Sequence, residues 1–81
     1  MNLTSLSFDQ LPTSMKSEFV CRYGSHVLTR RNTVFDIYLY ELNDFYVEIW
    51  CQRYKKAIDS IEILTLDEVV ESYLDELELV F

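Results

Sequence analysis

The chain is poor in the residues that bend or break a backbone. In 81 residues Gly24 is the only glycine and Pro12 the only proline. Its loops must therefore be short and built from Asn, Asp, Ser and Lys. A glycine-rich phosphate-binding loop is excluded, because such a loop needs backbone free of side chains near the phosphate. Histidine is nearly absent too: His26 stands alone. Cys21 and Cys51 are far apart in sequence and form no C-x-x-C, which predicts two free thiols in a reducing compartment. No apolar run approaches the span of a bilayer, and the first residues lack the basic start and apolar core of a secretory leader. These absences predict a cytoplasmic chain with no membrane segment. Beyond Lys56 there is no base at all.

What is present is apolar and aromatic. Hydrophobic residues make up 49% of the chain, with six Tyr, five Phe and one Trp. That is too apolar for disorder, and it predicts a single domain over residues 1–81. A domain this small buries only about 60–65% of its unfolded surface, so some of this apolar area is expected to face a partner. The net charge is −7. All seven bases lie between Lys16 and Lys56, whereas eight of the 14 acids follow Ala57. The acidic excess is a property of the C-terminal segment.

The organising stretch runs from Phe35 to Leu64. Val34 to Leu42 and Phe45 to Arg53 are rich in β-branched and aromatic residues and read as strands. Asn43-Asp44 suits the hairpin between them. Ser25 to Arg31 and Ala57 to Leu64 read as the flanking strands. Before them, Ser7 and Gln10 have capping-box spacing over a possible helical turn. Pro12 to Tyr23 reads as a helix whose buried face carries Met15, Phe19, Val20 and Tyr23, with Gly24 as a left-handed C-cap. Thr65 and Glu68 form a second capping box at the head of a final helix, whose apolar residues include Leu66, Val69, Val70, Tyr73, Leu74 and Leu77. The predicted fold is α+β: a four-stranded antiparallel meander with the N-terminal and C-terminal helices on one face (α-β-β-β-β-α).

That arrangement leaves one sheet face uncovered, and the third strand suggests which. Phe45, Val47, Ile49 and Cys51 make an apolar row for the core. Tyr46, Glu48 and Trp50 alternate with them and are assigned to the open side, with Glu48 an exposed carboxylate. A two-residue hairpin loop pairs Tyr40 with Val47 and Tyr38 with Ile49, sending Phe35, Ile37 and Leu39 outward; a longer loop or a bulge reverses this. Tyr38, Tyr40, Tyr46 and Trp50 are therefore the candidate interface residues, subject to register. Tyr and Trp combine apolar area with a polar edge, which suits a protein partner or a homodimer.

The meander also brings its first and third turns to one end, gathering Arg30, Arg31, Arg53, Lys55 and Lys56. The acidic last helix is expected to run back and neutralise them through Asp75, Glu76 and Glu78. Glu68, Glu71, Asp75 and Glu76 form an acidic face, which suits either solvent or a basic site on a partner. With a net charge of −7, nucleic-acid binding is a minor option. No residue pattern calls for a cofactor or a metal, since carboxylates on a helix without a ligand loop hold divalent ions weakly. No catalytic group is nominated, and an enzyme is not expected.

The stretch from Gly24 to Trp50 resembles a pattern in short uncharacterised bacterial proteins. It has Gly24 before a strand with Leu28 and Arg30 or Arg31, then Leu39-Tyr40, Phe45-Tyr46-Val47-Glu48, and Tyr73-Leu74 in a terminal helix. The resemblance implies a bacterial α+β domain and carries no active site. The leading expectation is thus a small non-enzymatic interaction or self-associating domain. The alternative is an acidic inhibitor or immunity-type protein that blocks a basic site.

Overall fold

The computed structural model describes residues 4–74. Helix α1 (Ser5–Asp9) and helix α2 (Thr13–Tyr23) lead into strands β1 (Ser25–Arg31), β2 (Phe35–Leu42), β3 (Phe45–Gln52) and β4 (Ala57–Leu64), and helix α3 (Leu66–Ser72) follows. The strands form one antiparallel sheet in the order β1-β2-β3-β4. The fold is the expected α+β meander.

The hairpin register is the one set by a two-residue loop. Leu42 pairs with Phe45, Tyr40 with Val47 and Tyr38 with Ile49. Only Asn43 of the loop takes a positive φ, 59°, a conformation Asn adopts at little cost. Side chains alternate across a strand, so Tyr38 and Tyr40 share a face with Val47 and Ile49. Ile37 and Leu39 point the opposite way. Both sheet faces are consequently apolar, and each needs a cover.

Helices α1 and α2 together cover one face and α3 covers the other, which corrects the expectation that the N-terminal and C-terminal helices lie on one face. Phe8 of α1 and Val20 of α2 pack with Leu42, Phe45, Val47 and Ile49, flanked by Tyr38, Tyr40, Ile61 and Ile63. Val69 and Tyr73 pack with Leu39 on the other side, flanked by Leu28, Tyr46 and Leu64. The result is three layers, helix–sheet–helix. Leu64 already belongs to the second face through its pairing with Tyr46. The capping box of Thr65 and Glu68 starts α3 directly after it, with both reciprocal hydrogen bonds present at 3.0 and 3.2 Å.

Two N-terminal details differ from the sequence reading. Helix α1 is capped by Thr4, whose hydroxyl accepts from the Ser7 amide at 3.1 Å, so Ser7 lies inside the helix. Gly24 is extended (φ −80°, ψ 152°), not left-handed. Glycine is required there by proximity: a Cβ would lie 2.7 Å from the Val20 carbonyl oxygen. No helix among the described residues is long and apolar enough to cross a membrane.

Candidate interaction surfaces

Glu48 is the one buried charged residue among those described, at 4% exposure, which overturns its assignment as an exposed strand carboxylate. Its site draws on three elements. Trp50 Nε1, on the same strand and face, donates to Glu48 Oε1 at 3.1 Å. Arg30 Nη2, two strands away on β1, donates to Oε2 at 3.1 Å. The Tyr73 hydroxyl, immediately after α3, donates to the same Oε2. The Arg30 guanidinium lies 4.7 Å from the Tyr73 ring centroid and 5.7 Å from that of Trp50, within the range of cation–π attraction. Burial disfavours the Arg30 cation, but Tyr73 and Glu48 outweigh it, so its pKa is raised. Burial, then the bond to Glu48, raises the pKa of the Tyr73 phenol. A buried carboxylate held by three donors is a fastener: it ties β1, β3 and the residue after α3 together.

The four aromatic candidates do not make one surface. Tyr38 and Tyr40 lie half-buried against the α1–α2 core. Tyr46 and Trp50 lie half-buried on the α3 side. The Tyr46 hydroxyl donates to Glu41 at 3.2 Å, and Trp50 meets the edge of Phe35 at 5.2 Å between centroids. Tyr38 and Tyr40 point to the opposite sheet face from Tyr46 and Trp50, so the register separates the two pairs.

Other expectations shift in the same way. Arg31 Nε and Arg53 Nε lie 3.1 and 3.6 Å from Asp36 Oδ1, close enough for charge attraction, though this buried oxygen has no aligned hydrogen bond. Arg30 leaves the basic end for Glu48. Asp36 is thus the counter-charge at that end. The expected neutralisation by Asp75, Glu76 and Glu78 concerns residues outside those described. Glu68 and Glu71 are exposed on α3, and Asp75 and Glu76 of the proposed acidic face again lie outside the described residues.

His26 meets Thr29 Oγ1 at 2.8 Å and the Tyr40 ring edge-on at 5.5 Å. Cys21 and Cys51 are free. Burial, then Asp36, raises the Cys51 pKa, the direction that disfavours the reactive thiolate. No group of three or more metal-ligating side chains occurs among the described residues.

Exposed large apolar residues lie on several elements, with Leu66, Val70 and Leu74 on or just after α3 and Met15 and Tyr23 on α2. The sequence stripe of Met15, Phe19, Val20 and Tyr23 is split by the fold: Val20 is fully buried, whereas Met15 is 52% and Tyr23 60% exposed. Phe19 is half-buried and tilts against Tyr23 at 4.7 Å. Met15, Phe19 and Tyr23 recur every fourth residue and line a shallow groove of about 250 Å³ with Glu18 and Arg22. Glu18 and Arg22 are 3.6 Å apart. The spacing of this row was legible in the sequence; which part of a broad stripe faces inward was not. Comparison with family models, with curated proteins and with solved structures finds no match.

Proposed function

We propose that the protein is a non-catalytic interaction domain that pairs with a second copy of itself through the outer row of α2. The observation behind this reading is the exposure of Met15 and Tyr23 on either side of Phe19. A twofold axis beside Phe19 lays two α2 helices antiparallel, with Met15 against the second copy's Tyr23 and Phe19 at the centre. The same operation sets Glu18 beside the second copy's Arg22, so the flanking charges are self-complementary. Charge also favours this location. Each copy carries −7 overall, but α2 holds two bases, Lys16 and Arg22, against one acid, Glu18. It is a surface where two acidic chains meet without mutual repulsion.

Light scattering after size exclusion at a few hundred micromolar tests the reading. The expected mass is twice 9.7 kDa, returning to a single chain for Tyr23→Asp with an unchanged circular dichroism spectrum. Glu18→Arg alone weakens the pair, and adding Arg22→Glu restores it. A wild-type chain that stays monomeric at that concentration overturns self-association.

A second reading, blockade of a basic site on another protein, is favoured by α3. Asp67, Glu68 and Glu71 are exposed there, and none has a base partner among the described ion pairs. Such binding weakens steeply with salt. The two free thiols support a cytosolic setting.

A further inference from the structure

The sheet ends in two unequal edges. The outer strands are β1 and β4, and each carries an irregularity. Val27 is the extra residue in β1, and Asp59 the extra residue in β4. Bulges protect edges locally. Beyond Asp59, however, β4 runs regularly from Ser60 to Leu64. The amide of Arg53 bonds the carbonyl of Val34 at 2.9 Å, which fixes the phase of the ladders. Odd-numbered residues of β3 bond to β2 and even-numbered ones to β4. The partners of the even residues are Ser60, Glu62 and Leu64. Ile61 and Ile63 therefore aim their N–H and C=O groups away from the sheet, with no strand beside them among the described residues.

A groove of about 320 Å³ runs along this edge, lined by Ser5, Leu6 and Asp9 of α1 and by Glu62 and Ile63 of β4. Leu6 is 73% exposed. The charges are of one sign: Asp9, Asp59 and Glu62 flank the edge, and neither α1 nor β4 contains a base. Lys16 approaches Asp9 at 3.5 Å, yet the Asp9 side chain stays 67% exposed. The other edge is the opposite case, with Arg30 and Arg31 on β1.

We infer that β4 accepts an extended peptide of alternating basic and apolar residues as a fifth, antiparallel strand. Main-chain pairing to Ile61 and Ile63 supplies the common affinity. One row of the peptide's side chains enters the groove between α1 and the edge, where an apolar group meets Leu6 and Ile63. The alternate row, on the opposite face of the strand, carries the lysines or arginines that meet Glu62, and the Asp9 carboxylate adds to the local negative field. The net −7 charge of the chain draws such a peptide in, and the arginines of β1 turn it away from the wrong edge. A second copy's β4 is disfavoured here, because it sets Asp59 and Glu62 against like charges. The inference is independent of α2 pairing, and a Tyr23→Asp chain serves equally well as the test protein.

Fluorescence polarisation with a labelled nine-residue peptide alternating lysine and valine, combined with amide hydrogen exchange, provides the test. Binding is expected to slow exchange at Ile61 and Ile63. It is expected to fall at least tenfold when the peptide is N-methylated on every second residue, which keeps its charge and removes its donors. A glutamate–valine peptide is expected not to bind, and Asp9→Asn with Glu62→Gln to weaken binding severalfold. Equal affinity for the N-methylated peptide reduces the contact to charge alone and overturns strand addition. Protection on β1 in place of β4 overturns it as well, as does protection of Ile61 and Ile63 that rises with protein concentration in the absence of peptide.

Discussion

Glu48 stands opposite Glu62 across the β3–β4 ladder, a pairing of like charges that destabilises an exposed sheet. The fold separates their fates: Glu62 stays exposed, and Glu48 is buried among Arg30, Trp50 and Tyr73. Removing a buried carboxylate leaves its donors without an acceptor. Glu48→Ala is therefore expected to lower unfolding stability by roughly 3 kcal/mol, the lower end of the range for buried pairs because Arg30 keeps some access to water. Glu48→Gln retains an acceptor for Trp50 or Tyr73 and is expected to cost less. Urea unfolding followed by the emission of Trp50, the only tryptophan, measures both. Equal losses for the two variants contradict the role given to the hydrogen bonds.

Elements were more legible than their arrangement. The capping pair Thr65 and Glu68 announces α3, the β-branched and aromatic runs announce β2 and β3, and Asn43 announces their turn. Which face α3 covers was not legible. It depends on the hairpin register, and a one-residue change in register exchanges Ile37 and Leu39 with Tyr38 and Tyr40. The buried role of Glu48 was hidden for a related reason: its partners come from β1 and from beyond α3, 18 and 25 residues away. The join of α2 to β1 was half legible. Glycine marks a helix end, but the cause here is the proximity of Val20 and Tyr40. Gly24→Ala thus forces a shift against fixed backbone and is expected to destabilise by about 1–3 kcal/mol, read from the midpoint of thermal unfolding. A left-handed glycine would be rescued in part by Asn; at this extended position Gly24→Asn is expected to be no better than Ala.

For the whole molecule, the phenols set an upper pH limit. Burial is the first cause of raised pKa values for Tyr40, Tyr46 and Tyr73 relative to 10.0. A group whose pKa is higher in the folded state holds its proton there more tightly than in the unfolded chain. Its contribution is complete below about pH 10 and disappears as pH climbs through the folded values. Urea midpoints are expected to show no fall from these phenols between pH 7 and 9 and then to drop above pH 10, in step with tyrosinate absorbance. Tyr73→Phe should flatten that drop, since its phenol is the fully buried one.

The shared seat of Arg30, Trp50 and Tyr73 also bears on how the chain emerges from the ribosome. Tyr73 leaves the tunnel after all four strands, and its acceptor is framed only once the first strand reaches the third across the second. Until then Ile37 and Leu39 form a naked greasy floor around an anion. A chain halted before Leu66 leaves that floor open to water.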